Sequence, residues 1–309
     1  MKSVLITGGT GSFGKAFVRR LLGEPITPER ICVLSRDEFK QNVMRQEFGN
    51  DPRLRFFLGD VRDRDRLYRA FTDIEVVVHA AALKQVPAGE YDPEEFVKTN
   101  VYGSANVLNA AMDAGVKKVL LLSTDKACAP CTLYGATKLA AERLFVAFNS
   151  MRGPICSATR YGNVADSRGS VIPLWREQAA RGEVLNVTDL EATRFYMTQD
   201  RAVDLVLTAL DGMSGGEIFV PVLRSYRLAE LAAVFGAPYT VVGLRGAEKL
   251  HESMVSRDED RFLVRHSMDV WKIMPEQTDD RGRMTAERGF CSKDHLMSAE
   301  ELRGLVCAS

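Results

Sequence analysis

The sequence predicts an α/β protein built on a Rossmann-like, doubly wound parallel sheet, with a smaller C-terminal lid domain. Two observations support this fold class. Short apolar runs alternate with longer helical patterns through the first half of the chain, and a glycine-rich turn follows the first of these runs. Repeated strand–helix units of this size favour parallel strands with helices on both faces. Ligands of such sheets bind at the carboxyl ends of the strands.

The predicted elements follow each other in order along the first half. A buried strand over residues 4–7 leads through the glycine-rich turn into a helix over 13–22. Beyond about residue 165 the pattern changes to loops, shorter helices and isolated strands such as 217–220. We therefore expect a sheet domain over residues 1–165 and a lid region over 166–309, part of which returns to the sheet. The further strands are predicted at 31–34, 54–58, 76–78, 119–122 and 155–159, and the further helices at 93–114 and 134–148.

The composition argues against several classes of protein. The 309 residues include 41 basic and 41 acidic side chains, so nucleic acid is not indicated as a partner. No apolar run approaches the roughly 20 residues of a membrane span. The N-terminus lacks the shape of a signal peptide, so we expect a cytoplasmic protein. Cys128 and Cys131 have redox or metal-ligand spacing, but no second pair completes a metal site. We expect coincidence there and no metal.

The turn after the first strand predicts a dinucleotide site. It contains Gly-x-x-Gly-x-x-Gly and opens a helix. Glycines at such a turn let the backbone approach a pyrophosphate, whose charge lies at the helix N-terminus. The residues expected to bind the cofactor here are Gly8, Thr10, Gly11, Ser12, Phe13 and Gly14.

The end of the second strand indicates which dinucleotide is bound. Arg36 and Lys40 suit a 2′-phosphate and favour NADP, while NAD stays possible. Asp37 either binds the cofactor or only caps the next helix. After the third strand, Asp60 and Val61 are placed to bracket the adenine, with Asp60 accepting from its amine.

Five polar residues follow the strand at 119–122. Thr124, Asp125 and Lys126 come directly after it, and Tyr134 and Lys138 share one face of the next helix. A nearby cation favours the phenolate, so we expect a lowered pKa for Tyr134 and proton exchange with a substrate hydroxyl. An alcohol oxidation alone does not need Asp125 and Lys126. The sequence therefore predicts a redox step and a further proton transfer.

Further candidates follow the fourth and sixth strands and continue into the second half. Ala80, Ala82 and Lys84 follow the fourth strand, where Lys84 contacts cofactor or substrate or else is an exposed loop lysine. The segments 160–164 and 167–171 offer amide, hydroxyl and backbone donors for a diphosphate. The expected substrate-binding residues are Lys84, Asn163, Ser167, Gly169, Ser170, Val171, Arg194, Arg245 and Glu248.

Together these motifs resemble those of the extended short-chain dehydrogenase/reductases. Within them the chain is similar to the UDP-N-acetylglucosamine 4,6-dehydratases that invert carbon 5, from pseudaminic-acid and capsule sugar pathways. STDKA followed by YGATK is the specific part, because dehydratases that retain the configuration carry Asp-Glu in place of Asp125-Lys126. The matching segments span essentially the whole chain and include ITGGTGSFG, HAAALKQVP, STDKA, YGATKL, RYGNV, SRGSVIP and EKLHE.

The resemblance implies a tightly held NADP, a UDP-N-acetylhexosamine substrate and homo-oligomers from dimer to hexamer. It implies that Tyr134, assisted by Lys138, removes the hydroxyl proton at carbon 4, while Thr124 hydrogen-bonds the same oxygen. Lys126 then takes the carbon 5 proton, and Asp125 helps water leave from carbon 6. A lysine acts as a base only when it is neutral. We therefore expect burial and neighbouring cations such as Lys138 to lower the pKa of Lys126.

The chain departs from the family pattern at residues 131–133, 165–166 and 246–248. Asp166 is expected to place a new carboxylate near the sugar-nucleotide site. Two alternatives stay open. A nucleotide-sugar 4-epimerase on the same frame needs Tyr134 and Lys138 but no additional acid–base pair. An NADP-sensing protein without turnover needs neither, and such proteins have commonly lost the Tyr-x-x-x-Lys pair.

Overall fold

A computed structural model of the chain describes residues 1–23, 27–167, 169–276 and 289–307. Its central feature is a sheet whose strands come mostly from the first half. The strands of the first half are β1 (Ser3–Thr7), β2 (Arg30–Ser35), β3 (Leu54–Leu58), β4 (Val76–His79), β5 (Lys118–Thr124), β6 (Ile155–Tyr161) and β7 (Asn163–Val164). Its helices are α1 (Ser12–Leu22), α2 (Glu38–Glu47), α3 (Arg64–Ala70), α4 (Val86–Tyr91), α5 (Pro93–Phe96), α6 (Gly103–Asp113) and α7 (Leu133–Phe148).

The second half supplies shorter strands and four further helices in the described ranges. The strands are β8 (Leu185–Val187), β9 (Thr193–Met197), β10 (Ile218–Pro221), β11 (Ser225–Arg227), β12 (Tyr239–Val241), β13 (Ser253–Val255), β14 (Leu263–Arg265), β15 (Val270–Ile273) and β16 (Phe290–Cys291). The helices are α8 (Val171–Ala180), α9 (Gln199–Gly212), α10 (Leu228–Phe235) and α11 (Ala299–Cys307).

The main sheet has the order β14-β15-β10-β6-β5-β4-β1-β2-β3. Strands β10 to β3 in this order are parallel, and β14 and β15 add an antiparallel edge. The strand order reverses between β1 and β4, which is where ligands bind in doubly wound sheets. Every residue of β1 and β4 is buried, as expected for strands covered by helices on both faces. The predicted fold class is confirmed.

The second half forms its own small apolar core beside the sheet. Trp175 of α8, Leu185 of β8, Leu231 of α10 and Leu302 of α11 are buried together there. The strand predicted at 217–220 is not isolated, because β10 pairs with β6 and β15 in the main sheet. The division at residue 165 stays a prediction. No helix in the described ranges is long and apolar enough to span a membrane.

The prediction of one helix over 93–114 is wrong in its middle. A π-helical turn, Val97–Tyr102, separates α5 from α6. Within it the Asn100 amide donates to the Leu83 carbonyl oxygen (2.9 Å) and to Thr137 Oγ1 (3.0 Å), and it accepts from the Leu83 amide (2.9 Å). The widened turn thus ties the loop after β4 to α7. Apolar periodicity does not report such side-chain bonds, so the pattern predicted a continuous helix.

Candidate active site

A cavity of about 850 Å³ lies at the carboxyl ends of the sheet strands, between the sheet and the second half of the chain. All the cofactor-binding and substrate-binding residues predicted from the sequence line it, as do Thr124, Lys126, Tyr134 and Lys138. The structure therefore brings together nearly every predicted site residue. Asp125 is the exception among the described residues, because its side chain is fully buried behind the cavity wall.

The glycine-rich turn has the shape that a pyrophosphate site requires. Gly8 has φ of +66°, and a Cβ there would lie 2.8 Å from Ala81 Cα. A Cβ on Gly14 would lie 2.2 Å from the Gly9 carbonyl oxygen, so only glycine lets α1 begin this close to β1. The first residues of α1 line the cavity, and no side chain among the described residues caps the start of this helix. These residues fit a dinucleotide phosphate.

Charged side chains line the cavity after β2 and β3. Asp37 caps α2, because its carboxylate accepts from the Lys40 amide (3.0 Å) and pairs with Lys40 Nζ (2.6 Å). Asp60 is held by Arg62 (2.8 Å) and lies 3.6 Å from Arg36. Burial alone would raise the pKa of Asp60, but the Arg62 hydrogen bonds outweigh it and lower that pKa. Asp60 is therefore an ionised carboxylate already paired with cations.

Lys138 lines the cavity, although its side chain is almost fully buried. Its Nζ donates to the Leu122 carbonyl oxygen (2.6 Å), and burial lowers the pKa of Lys138 to about 8. Burial also raises the pKa of Tyr134, against the opposing effects of Lys126 and of the Thr124 hydrogen bond. The prediction of a lowered pKa for Tyr134 is wrong in this structure. The Lys138 ammonium is engaged by a backbone oxygen, and burial disfavours the phenolate.

The helix carrying Tyr134 packs closely on the turn that carries Lys126. A 3₁₀ turn, Asp125–Ala127, follows β5, and the Thr124 side chain accepts from its Lys126 amide. A Cβ on Gly135 would lie 2.2 Å from the Lys126 carbonyl oxygen. The glycine after Tyr134 therefore sets the distance between the phenol and the amine. The spacing of the motif along the sequence gives no sign of this contact.

Lys126 lies between two carboxylates. Its Nζ is 3.1 Å from Asp125 Oδ1, 3.2 Å from Glu252 Oε1 and 3.3 Å from Asn163 Oδ1. Burial favours the neutral amine, but the two carboxylates outweigh it and raise the pKa of Lys126. The prediction of a lowered pKa for Lys126 is therefore wrong. Lys138 is not among these partners of Lys126. Glu252 is one of them, although it is not among the site residues predicted from the sequence.

The two carboxylates have opposite tendencies. Burial, reinforced by the negative charge of Glu252, outweighs Lys126 and raises the pKa of Asp125. Burial opposes ionisation of Glu252 as well, but Lys126, Arg194 and Lys249 outweigh it and lower the pKa of Glu252. The pKa is therefore shifted upward for Asp125 and downward for Glu252. Glu252 lines the cavity, and the only sequence signal for it is its place at the end of EKLHE.

A buried ion-pair network supports the site from below. Arg160 on β6 has no exposed surface and donates to Glu142 on α7 (2.6 Å) and to Glu259 (3.0 Å). It also donates to the Met254 carbonyl oxygen (2.8 Å). Glu142 lies one helical turn after Lys138. The network therefore joins the sheet, the helix of the Tyr–Lys pair and the segment after β13.

The second half forms the opposite wall of the cavity. Arg194 is nearly buried and pairs with Glu248 (2.7 Å), so the guanidinium and the carboxylate hold each other in place. Arg168, in the predicted diphosphate segment, lies outside the described residues. Asp166 pairs with Arg176 (2.9 Å) and does not line the cavity within the described ranges. The Asp166 carboxylate is therefore held by a salt bridge next to cavity-lining residues, and its influence on the sugar-nucleotide site stays a prediction.

The two cysteines of the Cys-x-x-Cys pair have different surroundings. Cys128 is buried, which raises its pKa to about 12, and Cys131 is exposed on the cavity rim. Within the described residues, no group of three His, Cys, Asp or Glu side chains is placed to hold a metal ion.

Comparison with known proteins extends this description. A UDP-N-acetylglucosamine 4,6-dehydratase (inverting) from Campylobacter jejuni subsp. jejuni serotype O:2 is 48% identical over 281 residues, covering 89% of this chain and 83% of that protein. A UDP-glucose 4-epimerase from Rickettsia conorii is 44% identical over 269 residues, covering 84% of this chain and 79% of that protein.

Solved structures share the fold. The X-ray structure of Pen from Bacillus thuringiensis superposes with a TM-score of 0.93 at 35% identity and covers 100% of this chain and 98% of that one. DesIV from Streptomyces venezuelae, a dTDP-glucose 4,6-dehydratase with NAD and TYD bound, gives 0.75 at 26% identity, covering 80% and 86%.

The family model described as polysaccharide biosynthesis protein matches residues 4–273. The resemblance to the inverting UDP-N-acetylglucosamine 4,6-dehydratases, stated above from the sequence motifs, is confirmed by the 48% identical relative. Since the family model covers most of the chain, this chain belongs to the polysaccharide biosynthesis protein family.

Proposed function

We propose that the chain is a UDP-N-acetylglucosamine 4,6-dehydratase that inverts carbon 5 and yields a UDP-4-keto-6-deoxy-hexosamine. One observation carries the proposal. A single cavity holds a Tyr134–Lys138 pair, which can provide the proton transfer for oxidation of an alcohol by a bound nicotinamide, and beside it a lysine between two carboxylates. Oxidation alone does not need this lysine and its two carboxylates, whereas dehydration requires one more acid and one more base. The 48% identity to a named inverting dehydratase supports the same conclusion.

The glycine-rich turn would hold the dinucleotide, and a nicotinamide bound there would supply the redox chemistry, hydride removal from carbon 4 and hydride return to carbon 6. The chain's own residues move the protons. Tyr134 takes the proton of the carbon 4 hydroxyl, and Thr124, whose hydroxyl bonds Tyr134, holds the same oxygen. Lys138, which lines the cavity, is the residue that we propose for binding the nicotinamide ribose. The 4-ketone formed in this way acidifies the hydrogen on carbon 5.

Lys126 and Asp125 are proposed to carry out the elimination of water. Lys126 in its amine form takes the carbon 5 proton, and Asp125 donates a proton as water leaves from carbon 6. Two features of Asp125 suit a general acid. Its pKa is raised by burial, and its Oδ2 is a buried oxygen without a hydrogen-bond partner among the described residues. Addition of a proton to carbon 5 from the opposite face inverts it.

NADP is the proposed cofactor, with the 2′-phosphate bound by Arg36. This guanidinium lines the cavity and is half exposed, so an added phosphate can reach it. We expect Arg36→Ala to weaken NADP⁺ binding about tenfold, the equivalent of about 1.4 kcal/mol, and to leave NAD⁺ binding nearly unchanged. Isothermal titration calorimetry with both dinucleotides measures the effect. Arg19→Ala, outside the cavity, is the matched control. Equal losses for both dinucleotides would contradict the assignment.

A 4-epimerase is the second candidate, because a relative named UDP-glucose 4-epimerase is 44% identical. The two activities differ in product mass. We expect the protein, incubated with UDP-N-acetylglucosamine, to form a product lighter by one water in mass spectrometry. A product of unchanged mass with an inverted carbon 4 would instead establish the epimerase.

We also propose that the chain forms homo-oligomers between dimer and hexamer, as the family resemblance implies. Light scattering after size-exclusion chromatography gives the number of subunits.

A further inference from the structure

Glu252 occupies a fixed position in the wall of the cavity. Its backbone amide donates to Ser292 Oγ (3.0 Å), and its carbonyl oxygen accepts from the Ser292 amide (2.8 Å). These bonds hold the residue just before β13, which pairs with β16. The side chain is almost fully buried and reaches Lys126 from the side of the second half of the chain. Such anchoring suits a group whose position matters for a proton transfer.

The contacts of Lys126 indicate the protonation state of its side chain in this structure. Three acceptors, Asp125, Glu252 and Asn163, surround Nζ at 3.1–3.3 Å, which matches the three hydrogens of an ammonium. A lysine with all its donors engaged is charged and cannot take a proton. The proposed elimination therefore needs a neighbour that removes one ammonium proton first. Asn163 is an amide and cannot do so.

The groups around the cluster decide which carboxylate can accept that proton. Lys249 Nζ is 4.0 Å from Glu252 Oε2, Arg194 acts on Glu252 through its charge, and Tyr134 and Tyr226 lie within the electrostatic reach of Lys126. Asp125 is fully buried behind the cavity wall and is the proposed acid. Glu252 contacts Lys126 through Oε1 (3.2 Å) and lines the cavity, and its Oε2 has no hydrogen-bond partner among the described residues, so an oxygen of this carboxylate is free to take the proton.

We propose that Glu252 is the proton acceptor for Lys126, an inference that rests on the proposed dehydratase function. One N–H bond of the Lys126 ammonium breaks and an O–H bond forms on Glu252, giving an amine and a carboxylic acid. The amine then takes the proton from carbon 5, and the electron pair of that C–H bond moves toward the 4-ketone oxygen. Asp125 supplies the proton that leaves with the carbon 6 oxygen as water. Glu252 is a positioning residue, since it acts through Lys126.

Filling of the cavity favours this transfer. Sugar and cofactor exclude water, and the loss of water penalises both the ammonium and the carboxylate. Moving one proton between them replaces two charges by two neutral groups. The cost of forming the amine is therefore lowest when substrate is bound, which is when the base is needed.

Glu252→Gln tests the inference, because glutamine keeps the size and the acceptor oxygen but cannot take a proton. In single-turnover experiments on NADP⁺-loaded enzyme with UDP-N-acetylglucosamine, absorbance at about 340 nm reports oxidation and product mass reports water loss. We expect oxidation within about threefold of the wild-type rate and water loss reduced about 100-fold. Below the pKa of Lys126 the residual water loss should rise about tenfold per pH unit, since its ammonium must then lose its proton to solvent.

Glu252→Asp is the matched variant that keeps the carboxylate. We expect it to regain much of the water loss and the wild-type pH dependence. Equal reduction of oxidation and water loss in Glu252→Gln, with an unchanged pH profile, would overturn the inference and leave Glu252 a structural role. Absence of water loss in the wild-type protein would overturn the dehydratase proposal itself, and the inference with it. The two failures are thus distinguished by the wild-type measurement.

Discussion

Lys126→Met is expected to lower the rate of water loss from UDP-N-acetylglucosamine at least about 100-fold. Methionine retains the apolar stem of lysine but offers no base for carbon 5. The oxidation at carbon 4 depends on Tyr134 and Lys138. The substitution keeps the bond of Lys138 to the Leu122 carbonyl oxygen and the Thr124 hydrogen bond of Tyr134, and removes only the charge of Lys126 from the surroundings of Tyr134. We therefore expect oxidised sugar to form and then to accumulate. Product mass and nicotinamide absorbance, followed in parallel, separate the two steps.

The control for this prediction is Lys117→Met, an exposed lysine outside the cavity that pairs with Glu75. It should not change either step. NADP⁺ affinity should also remain near the wild-type value in Lys126→Met, because the glycine-rich turn and Arg36, the residues proposed to bind the dinucleotide, are unchanged. Near-normal water loss in Lys126→Met would contradict the role given to this lysine.

Arg160→Met is expected to lower the free energy of unfolding by about 3–5 kcal/mol. Arg160 is the fully buried partner of Glu142 and Glu259. Removing the guanidinium leaves the Glu142 carboxylate buried without a cation, and the cost of that unpaired charge exceeds the value of the pair itself. Urea denaturation monitored by circular dichroism measures the change.

Two further variants make this prediction specific. Arg224→Met breaks an exposed pair with Glu301 and should change stability little. Adding Glu142→Leu to Arg160→Met removes the stranded carboxylate and should recover part of the loss. A single Arg160→Met variant as stable as the Arg224→Met control would contradict the account of the network.

Much of the fold is predictable from the sequence for a physical reason. Strands such as β1 and β4 are buried on both faces, so they appear as uninterrupted apolar runs. The π-helical turn escapes prediction, because it is held by Asn100 bonds to residues distant in sequence. The return of part of the second half to the sheet is predicted, but the place of β10 between β6 and β15 is not, since a four-residue apolar run does not specify its neighbours.

The candidate site, like the fold, can be predicted only in part from the sequence. The glycine-rich turn, Thr124, Lys126, Tyr134 and Lys138 follow strand ends, and topology alone brings such residues together. The sequence predicts a lowered pKa for Lys126, whereas its surroundings in the folded chain raise that pKa. Against the effect of burial, the adjacent Asp125 is the main cause of that increase, and Glu252, far along the chain, adds to it by tertiary contact. Local motifs therefore predict which side chains meet, whereas pKa directions depend on partners that only the folded chain supplies.

Reaction in heavy water tests the central claim, that a lysine between two carboxylates drives loss of water from an oxidised sugar. The protein is incubated with UDP-N-acetylglucosamine in deuterium oxide, and the product is characterised by mass spectrometry and proton NMR. We predict a product that has lost one water, carries one solvent deuterium on carbon 5 and has the opposite configuration there. A product of unchanged composition, still bearing the original hydrogen on carbon 5, would contradict the account.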